Sequence, residues 1–131
     1  MSGDPAYRSG MRLVADTSAL IHLLDGNDEA AGILQGSEVF VSFITEVELL
    51  SSQRNTAQLR MRKRALLSDC TIIDVNVRLK ELVIDLRTKH GLKLPDCIIA
   101  ATAIHLDLPL VTSDHHFSRL KDEVALYWIR V

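Results

Sequence analysis

The sequence predicts an α/β domain built on a parallel sheet, and three observations predict it. Short apolar runs alternate along the chain with longer segments of helical periodicity, the order that parallel strands joined by right-handed crossovers require. The apolar runs are continuous rather than alternating, as in Val39-Phe40-Val41, which is how strands covered on both faces read. Residues 92–114 then combine a helix, a buried strand and an acid in one stretch. Pro95 suits the first helical turn, where its missing N–H has no partner to lose, and Asp96 sits in that turn with the helix dipole in its favour. Ile98, Ile99, Ala101, Ala103 and Ile104 make the helix nearly all apolar, as packing against a sheet demands. Pro109 stops it, Leu110-Val111 is the strand, and Asp114 falls just past the strand's carboxyl end, the edge where open α/β sheets bind ligands.

At 131 residues the chain supports one domain and one core. Its 47% hydrophobic and 24% charged residues are those of an ordinary globular protein. A net charge of −2 gives no overall attraction to nucleic acid, so any such binding has to come from a local patch or a metal. Cys70 and Cys97 have no metal-ligand spacing and read as buried, reduced thiols. No apolar run approaches the ~20 residues needed to cross a bilayer. The start lacks a secretory apolar region, so the expected location is the cytoplasm, with no membrane partner. Residues 1–10 are polar and turn-rich, an expected expression leader or disordered tail, which leaves 11–131 as the domain.

In order, Arg12–Ala15 reads as a strand and Ala19–Leu24 as the start of a helix that Thr17 or Ser18 can cap. Asp28–Gln35 is a short helix ended by Gly36. Glu38–Ile44 is the second strand, and Thr45-Glu-Val-Glu48 opens the next helix. After a break at 51–55, a basic helix runs from Ala57 to Leu67. Thr71–Val75 is a third strand. Asn76 caps a helix with Leu79, Leu82, Val83 and Leu86 at helical spacing, and Gly91 ends it. Beyond Asp114, Phe117–Leu120 is a helical turn and Ala125–Ile129 the last strand.

Four acids stand out: Asp16, Glu48, Asp96 and Asp114. Asp16 and Asp114 follow strand ends, while Glu48 and Asp96 lie near helix starts. In a parallel sheet, strand C-termini and the next helix N-termini share one edge, so the fold itself collects the four carboxylates. Crowded carboxylates repel, and a hard divalent cation relieves them. Each acid alone admits a structural explanation. Asp16 and Asp114 suit turns or caps, Thr45-x-x-Glu48 spells a capping box, and Asp96 suits the dipole. Those explanations leave the convergence unexplained.

Leu13-Val-Ala-Asp16-Thr-Ser18, Ile44-Thr-Glu-Val-Glu48-Leu-Leu50, Leu94-Pro-Asp96-Cys-Ile-Ile-Ala-Ala-Thr-Ala103 and Leu110-Val-Thr-Ser-Asp114-His-His-Phe117 resemble the four motifs of PIN-domain ribonucleases, nearest the short VapC-type toxins of bacterial toxin–antitoxin pairs. The resemblance spans nearly all of 11–131. It implies a three-layer sandwich whose central parallel sheet of about five strands carries helices on both faces. It implies an endoribonuclease that hydrolyses RNA phosphodiesters with a water activated by Mg²⁺ or Mn²⁺. Asp16, Glu48, Asp96 and Asp114 would be the catalytic acids, with Asp16, Asp96 and Asp114 on the metal and Thr17, Ser18 and Thr112 supporting. It also implies an antitoxin partner. One position departs: many relatives carry an acid before the phenylalanine of the last motif, where this chain has His116.

The literal Asp114-His115-His116 also resembles the DHH motif of a larger phosphoesterase class. That class needs an earlier D-x-D pair, and here the first motif reads Asp16-Thr17-Ser18. His115 and His116 therefore read as solvated or substrate-facing loop residues. Arg54, Arg60, Arg62, Lys63 and Arg64 form a run without acids, either a solvated helix face or a contact for RNA phosphates or an acidic partner. Apolar residues in 20–24 and 45–67 exceed what one sheet face needs, so a homodimer and an antitoxin groove are expected there. The other function class is a non-catalytic PIN-like module that binds RNA or protein, its acids serving only as caps.

Overall fold

The computed structural model describes residues 11–131, and the leader expected at 1–10 lies outside the described residues. In chain order the elements are β1 (Arg12–Ala15), α1 (Thr17–Leu24), α2 (Asp28–Leu34), β2 (Glu38–Ser42), α3 (Phe43–Ser51), α4 (Ala57–Ser68), β3 (Thr71–Ile73), α5 (Val77–His90), α6 (Leu94–Leu106), β4 (Leu110–Thr112) and β5 (Leu126–Trp128). A 3₁₀ turn over His115–Leu120 joins the last two strands. Every pairing is parallel, and the strand order is β3-β2-β1-β4-β5. The chain thus builds outward from β1 to β3, then returns to the other side of β1 for β4 and β5. Strand order reverses between β1 and β4, and the carboxyl ends of strands at such a reversal are where open α/β sheets bind ligands. Asp16 and Asp114 follow those two strands.

Alternation within the short strands divides the core into two layers. Leu13, Ala15, Val39, Val41 and Val111 pack with Ala19, Leu20, Ala30, Leu34 and Leu67, under α1, α2 and α4. Val14, Phe40 and Leu110 point the other way, onto Leu79 and Leu86 of α5 and Ile99, Ala100 and Ala103 of α6. Each leucine buried this way stabilises by roughly 1.5–3 kcal/mol. Small side chains let α6 lie close to the sheet, with Cys97, Ala100, Ala101 and Ala103 fully buried. Cys97 and the partly buried Cys70 are both free thiols.

Asn76 caps α5 and Gly91 closes it at φ +63°, as the sequence predicts. The strands β2, β3 and β5 are shorter than predicted, and three helix boundaries differ. Asp16, not Thr17 or Ser18, caps α1, its carboxylate accepting the Ala19 N–H at 2.8 Å. Ser42 caps α3 so that the helix begins at Phe43, which puts Thr45 inside it and Glu48 in its second turn. The capping box spelled by Thr45-x-x-Glu48 is therefore not formed. Asp107 ends α6 in the left-handed region at φ +55°, two residues before Pro109. Among the described residues, no helix is long and apolar enough to cross a membrane.

Candidate active site

Asp16 is buried at the end of β1, 2% exposed. Its Oδ1 accepts the Ala19 N–H at 2.8 Å and the Ser18 hydroxyl at 2.7 Å, and its Oδ2 accepts the Thr112 hydroxyl. With two lone pairs per oxygen, Oδ1 is filled and Oδ2 retains one. Burial pushes the Asp16 carboxyl up to about 6, the three hydrogen bonds oppose that, and the charge of Asp114 adds to it. Thr112 in turn accepts the Asp114 N–H at 2.9 Å, and Ser18 accepts the Ser113 N–H at 3.0 Å. Two hydroxyls therefore lock the end of β1 to the end of β4.

Asp114 caps the 3₁₀ turn by accepting the His116 N–H at 2.9 Å, which carries the His116 ring back to 2.9 Å from the same carboxylate. Asp96 comes from the first turn of α6, whose N-cap, Lys93, makes no side-chain cap bond. One ligand atom each of Asp96, Asp114 and His116 lies within 4.8 Å of the others. Partial burial raises the Asp96 carboxyl, as do the charges of Asp114 and Glu48, while His116 and Lys93 lower it. Glu48 reaches the edge from α3, its Oε1 accepting the Thr17 hydroxyl at 2.7 Å, with the Thr45 hydroxyl 3.1 Å from Thr17. The four acids thus share one edge, where the charge of Asp114 acts on both Asp16 and Asp96 and that of Glu48 acts on Asp96. Asp16 stands apart from the compact ligand group because its oxygens face Ser18, Ala19 and Thr112. Two carboxylates and an imidazole form a donor set that Mn²⁺ accepts, and Mg²⁺ through the carboxylates.

His116 belongs to this group, where the sequence predicts a solvated or substrate-facing loop residue and not a ligand. An acid two residues ahead of a histidine at a helix start was the available signal, since an Asp cap folds the turn back onto that residue. His115, its neighbour, stacks on Trp128 at the end of β5, ring centroids 5.5 Å apart.

The basic run divides. Arg54, Arg60 and Arg64 are exposed. Arg62 donates to the Leu24 carbonyl at 2.9 Å, at the far end of α1 and about 12 Å along that helix from Asp16. Lys63 is the correction: it is 7% exposed. Its ammonium donates to the Leu49 carbonyl at 3.1 Å and the Asn55 side-chain oxygen at 2.6 Å. It holds the α3–α4 junction and does not face solvent.

The PIN domain family model matches residues 13–123. Among solved structures, a toxin–antitoxin complex from Klebsiella pneumoniae is similar at 32% identity and TM-score 0.76, over 89% of this chain and 99% of that one. The VapBC2 complex of Rickettsia felis bound to a promoter DNA fragment has 20% identity and TM-score 0.79, over 92% and 100%. FitAcB from Neisseria gonorrhoeae has 22% identity and TM-score 0.72, over 88% and 96%. No protein of curated function matches the chain by sequence.

Proposed function

Because the chain belongs to the PIN domain family, we propose that it is a metal-dependent endoribonuclease and the toxin of a toxin–antitoxin pair. The observation that carries this reading is the meeting of Asp96, Asp114 and His116 within 4.8 Å, above buried Asp16, where strand order reverses. Caps alone account for Asp16 and Asp114. They do not account for Glu48, which is mid-helix, and Asp96, in the first turn behind Lys93 at the cap position, has the helix dipole alone in its favour.

Asp96, Asp114 and His116 would hold Mg²⁺ or Mn²⁺, with the remaining lone pair of Asp16 Oδ2 completing the acidic face. When bound, the ion supplies Lewis acidity that favours ionised water and neutralises charge on the scissile phosphoryl group. Thr112 and Ser18 fix Asp16 so that its charge stays directed at this edge. Glu48, held through Oε1 by Thr17, keeps Oε2 available to orient the attacking water and take its proton. Hydrolysis on this path leaves a 5′-phosphate and a 3′-hydroxyl. Arg54, Arg60 and Arg64 supply a solvent-facing surface for RNA phosphates.

An antitoxin partner is supported by the toxin–antitoxin complex from Klebsiella pneumoniae, 32% identical to this chain. A homodimer is supported by exposed Ile21, Val47 and Met61 on α1, α3 and α4, and by exposed Val77, Ile84 and Leu94 on α5 and α6. The deciding experiment is cleavage of an RNA pool in Mn²⁺ by the parent and by Asp96→Asn and Asp114→Asn, with end-group analysis. We expect each variant to lose at least about a hundredfold in rate while keeping the fold, since each substitution is nearly isosteric. Variants that cleave at the parent rate would refute the assignment.

A further inference from the structure

Beside the acids lies a second feature that the reaction needs and the acidic cluster does not supply. A pocket of about 190 Å³ is lined by Gly91, Leu92, Lys93, Asp96, His116 and Arg119. Asp96 and His116 form the wall shared with the candidate metal site, and Lys93 and Arg119 form the other. Among the described residues neither cation is in an ion pair. Lys93 makes no side-chain cap bond. Arg119 gives one N–H to the His90 carbonyl at 3.4 Å, which leaves most of its five donors free. Lys93 is close enough for its charge to lower the carboxyl of Asp96.

Among the described residues, Asp96 is the one carboxylate lining the pocket, and a single carboxylate does not satisfy a guanidinium fork and an ammonium together. We propose that this pocket is a phosphate subsite, in which Lys93 and Arg119 bind the RNA phosphodiester that flanks the scissile one. The inference rests on the nuclease reading and adds to it the residues that place the strand. A bidentate guanidinium fixes phosphate orientation and a lysine adds a point charge, so the pair sets register as well as affinity. The subsite also gives a chain of net charge −2 a local means of holding a polyanion next to four acids. Its location differs from the α4 arginines, so the two surfaces can be tested separately.

The test measures binding of a labelled RNA hairpin with a single-stranded loop, in EDTA to stop hydrolysis, between about 50 and 200 mM salt. Lys93→Gln and Arg119→Gln should each reduce the slope of log affinity against log salt by about 0.7, the value for one phosphate contact on a single strand. In Mn²⁺ each should raise KM several-fold and leave kcat within about twofold. Lys121→Gln removes the same charge from an exposed position outside the pocket and should change neither quantity. Thermal melts confirm that the variants fold, and Lys93, whose side chain makes no cap bond and no ion pair among the described residues, remains informative if Arg119→Gln is unstable. A parent that cleaves RNA while Lys93→Gln keeps the parent slope and KM would overturn the subsite alone. A parent that neither cleaves nor binds RNA would overturn the nuclease reading first.

Discussion

Asp16 carries the sharpest conflict in the molecule: a carboxylate 2% exposed, facing the charge of Asp114. Its proton is held to about pH 6 in the folded chain, against an ordinary value of 3.8. Between those values the folded state binds more protons than the unfolded state. Raising the pH through that window therefore removes stability, and the loss is complete above about pH 6. In EDTA, Asp16→Asn should exceed the parent's stability above pH 6 by up to about 3 kcal/mol, a gap that closes below about pH 4. Denaturant melts across pH 4–8 check this, and a gap that stays constant would contradict it. The amide can serve because Thr112 can accept from it and turn its own hydroxyl toward Ser18, 3.5 Å away. The position of Asp16 was legible in the sequence, as a strand end followed by Thr-Ser. Its burial was not, because burial depends on Thr112, 96 residues away.

At the scale of elements, the sequence shows where helices are more reliably than where they begin. The α3 start moved because Ser42 closes β2 and caps the helix at once, turning Thr45-x-x-Glu48 from a capping box into two residues on one helix face. That face meets α1 through Thr17, which is how Glu48 reaches the site. Lys63 was hidden for a related reason. It stands four residues after Leu59 and four before Leu67, on the inward stripe of α4, but its charge reads as solvent-facing. A lysine buries its stem and ends on whatever carbonyls the packing leaves open. Lys63→Met should keep the stem, leave the Asn55 oxygen without its donor and the Leu49 carbonyl with the Asn55 amide alone, and cost about 1–3 kcal/mol. Urea melts read that loss, and the salt dependence of RNA binding should not change. Loss of RNA affinity with no loss of stability would return Lys63 to the phosphate-binding face.

At the scale of the whole molecule, the sheet and its layers were legible because topology follows from alternation, continuous strands and right-handed crossovers. That same topology explains why acids separated by up to 98 positions meet: β1 and β4 are neighbours on opposite sides of the reversal in strand order. On the nuclease reading, this edge binds a divalent ion in the folded state and not in the unfolded chain. Binding then stabilises by RT ln(1 + [L]/Kd), about 2.7 kcal/mol at a hundredfold excess over Kd. For a domain of this length the melting temperature should rise on the order of 5–10 °C. The measurement is a set of melting curves for the parent and Asp96→Asn, each in millimolar Mn²⁺ and in EDTA at pH 7. The account predicts that the parent gains several degrees in Mn²⁺ and that Asp96→Asn loses most of that gain. A parent that melts at the same temperature in both solutions would contradict the metal site and the nuclease built on it.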